Sequence, residues 1–193
     1  VADQEPALPT GRMRAWKALC FGIALSLAGA IYLSWQTNFL TSLLASLTLA
    51  SYLFLYTPLK RVSWWCILPG AVSGALPPVI GYAAAAGAVA WPGLTLFAIL
   101  FLWQFPHIVA LGWLYREDYE RAGLRMLPGG ANADLKSGFT AVAPALLLIP
   151  VSVLLVQGGL AGPVYGCGAA VLSAVYAASA IRFGVRRDRA AAR

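Results

Sequence analysis

Long apolar runs alternate with short polar gaps along the whole 193-residue chain. A helix crossing a hydrocarbon core needs about 20 apolar residues. Six stretches approach that length, at roughly 18–36, 39–56, 66–88, 93–115, 139–157 and 163–183. The gaps after the first, third and fifth stretches are short and uncharged. All 14 basic and 7 acidic residues fall instead in 1–17, 57–65, 116–138 and 182–193. If the six helices alternate in direction, every charge lies on one side of the membrane. Basic residues mark the cytoplasmic side, so both ends of the chain and both charged loops are expected there. Any other helix count scatters the charges over both faces. The pattern predicts an all-α, multi-pass bundle of six transmembrane helices.

Composition agrees with the pattern. Hydrophobic residues make up 60% of the chain and charged ones 11%, with a mean hydropathy of +0.74, which excludes a soluble domain of this size. A net charge of +7 suits nucleic acid only when basic residues mix with polar and aromatic ones on an exposed face. Here they sit between apolar runs, and nucleic acid is excluded as a partner. Arg12, Arg14 and Lys17 ahead of an apolar run imitate a signal peptide, but that run reaches Trp35 and more spans follow. Cys20, Cys66 and Cys167 form no metal-like spacing and read as small packing residues.

The third stretch is irregular, with Gly70-x-x-x-Gly74, Pro77-Pro78 and Gly81. Small residues four apart let helices approach closely. A double proline removes backbone donors, which neighbours or a cavity must compensate. A kinked, tightly packed helix and the wall of a binding cavity both account for it.

Most of the candidate chemistry sits in 101–128, FLWQFPHIVALGWLYREDYERAGLRMLP. It holds the chain's single histidine, His107, behind Pro106, whose ring frees the carbonyl of Leu102. On an ideal helix Trp103, His107, Leu111, Leu114 and Asp118 lie within about 40° of one direction. If the helix continues past Tyr115, Asp118 stands roughly 16 Å from His107 along the axis. An ionisable residue at membrane depth faces a bundle interior or cavity. Gln104 and His107 therefore either satisfy freed backbone groups or line a polar pocket. Glu117 and Asp118 are either a solvated helix end paired with Arg116 and Arg121, or a site.

The arrangement favours a site. Two carboxylates and Lys60-Arg61 share one face of the membrane. Carboxylates hold Mg²⁺, which keeps waters and bridges to phosphate oxygens, and Lys and Arg donate to phosphate directly. Such a mouth suits a diphosphate on a greasy tail. Loss of diphosphate leaves an allylic cation, which the aromatic faces of Trp103, Tyr82 or Tyr119 can stabilise if they point inward.

YTPLKR (56–61), PGAVSGALPPVIGY (69–82), WQFPH (103–107), EDYERAGLRMLP (117–128) and LLIPVSVLL (147–155) together resemble the heme O synthases, or protoheme IX farnesyltransferases, a branch of the UbiA-type intramembrane prenyltransferases. The resemblance covers nearly the whole chain as one partial domain. It implies Mg²⁺-dependent transfer of a farnesyl group from farnesyl diphosphate to a vinyl group of heme B, giving heme O and diphosphate. Asp118 and Glu117 would be the second acidic, metal-binding motif, Glu117 standing where the family usually has Asp. Lys60 and Arg61 would be the basic pair near the diphosphate. His107 would contact the heme, as an iron ligand or a polar partner, with Trp103, Gln104, Tyr119, Tyr82 and Arg116 around the substrates. Membrane lipid and proteins of heme synthesis or oxidase assembly are the partners implied. Two alternatives are a UbiA-type enzyme for another aromatic or chlorophyll acceptor, and a non-catalytic heme carrier.

One departure stands out. The family carries a first acidic motif, N-x-x-x-D-x-x-x-D, ahead of the segment that ALPTGRM (7–13) resembles. Glu5-Pro6-Ala7 interrupts that segment, and Asp3 and Glu5 do not reproduce the motif. The resemblance therefore implies helices three to eight of a nine-helix enzyme, with residues 1–17 and a basic segment at 182–193 on the cytoplasmic side. A chain so composed would hold half of the metal site.

Overall fold

The computed structural model describes residues 14–130 and 132–186. The expectations for 1–13 and 187–193, Asp3 and Glu5 among them, lie outside the described residues. Everything regular within the described residues is helical: α1 (Ala15–Gln36), α2 (Phe39–Ala50), α3 (Thr57–Val62), α4 (Ile67–Ala75), α5 (Pro77–Ala86), α6 (Trp91–Leu114), α7 (Arg116–Arg121), α8 (Ala133–Gln157) and α9 (Pro163–Arg186). A π-helical turn, Ser51–Tyr56, makes α2 and α3 one rod, and a 3₁₀ turn, Trp64–Cys66, leads into α4. Six helical stretches are long and apolar enough to cross a membrane: Ala15–Gln36, Phe39–Val62, Trp64–Ala86, Trp91–Leu114, Ala133–Gln157 and Pro163–Arg186. These are the six expected spans. The chain is a multi-pass membrane protein.

Contacts at the two ends establish the alternation. At the uncharged end Asn38 accepts from Thr41 N at 2.9 Å and donates to Ala83 O at 2.8 Å, joining the α1–α2 turn to the end of α5. Gly158, after α8, lies against the Trp91 ring at the start of α6. At the other end Arg125 N–H donates to Lys60 O at 2.8 Å, and Trp113 meets Phe183 edge-on at 6.1 Å. The described loops that carry charge therefore share one end.

Packing runs α1 on α2, α2 on α5, α4 and α5 on α6, α6 on α8 and α8 on α9. The main core joins Ile67 and Ala71 of α4, Phe105 and Val109 of α6, Ala141 of α8 and Phe183 of α9. Ala145, Ala177 and Ala180 form a second cluster between α8 and α9. In lipid, apolar area alone does not drive helices together, so close approach and interhelical hydrogen bonds matter more. The buried Ser152–Ser173 pair at 3.2 Å is such a bond. Outward-facing Leu, Phe and Val side chains, as on α1, which buries no residue, form the surface suited to lipid.

Two expectations change and one is met. The segment 57–65, expected as a loop, is helical as far as Val62. The third span breaks at Leu76 into α4 and α5, as its two prolines require. The fourth span, α6, does not continue through the acidic triplet: it stops at Leu114, and Tyr115 (φ −105°, ψ 23°) precedes the separate α7. His107 and Asp118 therefore do not share one straight helix face.

Candidate functional site

The site begins with the π-helical turn. Pro58 has no N–H to offer, and the i→i−5 bond from Thr57 N to Tyr52 O replaces the regular pattern just before it, with Thr57 Oγ1 on the same carbonyl at 2.9 Å. Tyr52 and Tyr56 then lie one above the other, ring centroids 5.1 Å apart. Both line a membrane-level groove of about 510 Å³ between the α2–α3 rod, α4 and α6.

Gly70 and Gly74 form the floor. A Cβ on Gly70 would stand 3.0 Å from the Tyr56 ring, and one on Gly74 would collide with the Gln104 amide. The two readings of the glycine motif are thus one: the close approach builds the wall of the groove. Gln104 Nε2 donates to Ala71 O at 3.2 Å and to Leu100 O at 3.3 Å. Ser73 Oγ donates to Pro69 O at 2.8 Å and lies 3.2 Å from Ser51 Oγ. Among the described residues no buried side-chain polar atom lacks a partner. An apolar tail can enter this groove without stranding a dipole.

The groove meets the charged end at Tyr56. Lys60 Nζ lies over its ring, 5.5 Å from the centroid. Beyond lies a second cavity, of about 590 Å³, which takes Arg116, Tyr119 and Glu120 from α7, Arg125 from the following loop, and Trp64 and Trp113 as aromatic walls. Arg116 sits over the Trp113 ring at 5.2 Å. Glu117 and Asp118 are exposed and do not line either cavity. Asp118 pairs with Arg121, whose Nε also donates to Glu117 O at 3.3 Å.

Of the residues expected to act together, Arg116 and Tyr119 line the second cavity and Gln104 the groove, while Lys60 lines neither and meets the groove only through the Tyr56 ring. Arg61 lies beside Lys60 at the exposed end of α3. Trp103 and His107 occupy another strip of α6: their rings stack at 4.8 Å, Trp103 meets Tyr176 of α9 at 6.5 Å, and Tyr176 O–H donates to Trp103 O at 2.8 Å. Tyr82 packs against Gly93 at the α5–α6 crossing and lines neither cavity. Sequence reasoning missed Tyr52, Tyr56, Arg125 and Tyr176. A proline directly behind an aromatic-rich apolar run was the one local signal for the first two.

Glu117 and Asp118 are adjacent carboxylates, and among the described residues no group of three or more His, Cys, Asp or Glu side chains converges. Mg²⁺ is commonly held by one or two carboxylates together with substrate phosphates, and this pair fits that pattern. Asp118 would exchange its exposed Arg121 partner for the ion.

The UbiA prenyltransferase family matches residues 3–193. Among curated relatives, a protein of Solibacter usitatus named protoheme IX farnesyltransferase is 47% identical over 187 residues, 96% of this chain and 64% of the relative. Proteins of the same name from Sorangium cellulosum and Koribacter versatilis are 44% and 40% identical, covering 86% and 87% of this chain. The chain spans 64%, 58% and 54% of these three relatives' own lengths. No solved structure matches it. A match over almost every residue of an all-helical membrane bundle leads to one statement: the chain belongs to the UbiA prenyltransferase family.

Proposed function

We propose that this protein transfers a farnesyl group from farnesyl diphosphate to a vinyl group of heme B, making heme O and diphosphate. The relatives' shared name supports this donor and acceptor. The observation that carries the chemistry is Tyr56, which closes the apolar groove on one side and carries a lysine cation over its ring on the other.

The isoprenoid tail occupies the groove, among Tyr52, Tyr56 and the glycine floor. Its diphosphate lies at the charged end, where Lys60 and Arg61 donate to its oxygens. Glu117 and Asp118 would hold Mg²⁺, which neutralises charge on the departing diphosphate when bound. As the C1–O bond breaks, the electron pair leaves with diphosphate, and the allylic cation faces the Tyr56 ring. The vinyl π electrons form the new bond to C1, and water adds to the resulting cation beside the macrocycle and gives up a proton. His107, stacked on Trp103, contacts the heme. By the positive-inside bias the charged end is cytoplasmic, and the plasma membrane is the proposed location.

The test is mass spectrometry of heme extracted after incubating membranes that contain the full-length protein with heme B, farnesyl diphosphate and Mg²⁺. A gain of one farnesyl group plus one hydroxyl group is expected. Unchanged heme mass would sink the reading, and prenylation of a different aromatic acceptor would redirect it.

A further inference from the structure

The loop between α7 and α8 is tied down by three consecutive residues, each on a different element. Arg125 donates its main-chain N–H to Lys60 O at 2.8 Å and its Nη1 to Val62 O at 3.1 Å. Met126 Sδ lies 3.9 Å from Cys66 Sγ. Leu127 packs on Gly112, where an added Cβ would stand 3.0 Å from its Cδ2. The two carbonyls that Arg125 meets are among the last four of the rod ending at Val62, which find no donor within their own helix. A guanidinium there also meets the negative end of a 24-residue helix. One side chain and its own amide thus cap a helix 63 positions earlier.

The link from Arg125 back to the carboxylates is stiff. Leu124 N donates to Tyr119 O at 2.8 Å and Gly123 N to Glu120 O at 3.0 Å, with Gly123 at φ 68°. This is a Schellman ending, and its left-handed residue favours glycine. Ala122 N closes on Asp118 O at 3.0 Å. Wherever Arg125 is held, α7 is held.

We propose that Arg125 is a positioning residue: by capping α3 with both main chain and guanidinium, it fixes Glu117 and Asp118 relative to Lys60 and Arg61 and so sets affinity for the prenyl diphosphate. The kinetic consequence rests on the prenyl-transfer reading above, whereas the geometric one does not. The experiment uses the full-length protein in lipid nanodiscs. Arg125→Met keeps the stem and the amide but loses the Nη1 bond. It should raise KM for farnesyl diphosphate about tenfold, the scale of one hydrogen bond from a charged donor. KM for heme B should stay within about twofold, since the acceptor does not depend on that bond, and kcat should fall by no more than KM for farnesyl diphosphate rises. Arg125→Lys should recover much of the loss. In a cysteine-free background, spin labels at Leu59→Cys and Glu120→Cys should show a broadened α3–α7 distance in Arg125→Met.

An unchanged KM for farnesyl diphosphate overturns the proposal. So does an equal rise in both KM values together with a lowered Tm, which marks a general brace. If the unsubstituted protein transfers no farnesyl, the functional reading fails, and the label distances alone decide whether Arg125 holds α7: an unchanged distribution overturns that too.

Discussion

The membrane-level groove and the charged end are built on opposite terms. In the groove the polar contacts close within the protein: Gln104 on Ala71, and Ser73 on Pro69 and Ser51. At the charged end the Asp118–Arg121 pair is more than half exposed on both sides, and the Lys60 ammonium rests on a ring face. A bilayer offers no water to repair an unmade hydrogen bond, so the groove must be finished in advance. Water does repair it at the charged end, and exposed ion pairs there contribute little to stability. The teaching is a division of labour. Substitutions in the groove should act on the fold and the fit of the tail, and those at the end on chemistry with the fold intact.

The largest expected effect tests the charged end. Asp118→Ala in the full-length protein should lower farnesyl transfer at least about a hundredfold, as loss of a metal ligand at the leaving group does. Its Tm should move little, because the pair it breaks is exposed. Retained activity would remove Asp118 from the site, and a large fall in Tm would break the contrast between the regions.

Next comes the groove floor. Gly74→Val puts a branched Cβ into the Gln104 amide and breaks its bond to Ala71 O. Overpacking combined with a lost buried bond should cost about 2–4 kcal/mol, read by chemical or thermal unfolding in detergent. A variant as stable as its parent would show that the groove relaxes more readily than the close packing implies.

His107→Ala sharpens the picture at a third place, the Trp103–Tyr176 strip. Heme B affinity, followed by Soret titration, should weaken about tenfold while affinity for the prenyl diphosphate stays within about twofold, as expected where a residue contacts one ligand only. Equal loss of both would give His107 a packing role. Smallest is Gln104→Leu, which conserves volume and removes one interhelical bond. It should cost about 1 kcal/mol in unfolding free energy and leave kcat nearly unchanged.

Much of this protein was legible in the sequence. Apolar run length and one-sided charge gave six spans and their alternation, because a bilayer permits few ways to hide a backbone. Pro77-Pro78 announced the break at Leu76, since proline supplies no N–H. The motif blocks gave the family, and Lys60, Arg61, Glu117 and Asp118 as the charged end. The helix end at Tyr115 was not legible: WLYRED carries no proline or glycine, and periodicity continued unbroken across it. Nor was the role of Tyr56, whose aim depends on a π-helical turn that only the packing against Gly70 makes useful.

What the sequence by itself determined is what local chemistry and the solvent dictate: which segments span, where the charges gather, where the chain kinks, and which family the motifs belong to. Which candidates meet was decided by tertiary structure alone. Gln104 and His107 are three residues apart on one helix, yet one enters the groove and the other stacks on Trp103 towards α9. Arg125 reads as one more charge in a basic loop until Lys60 and Val62 arrive with open carbonyls. Partners 60 or more positions apart are chosen by how helices cross, and that choice is made by packing small residues against large ones, which no local pattern records.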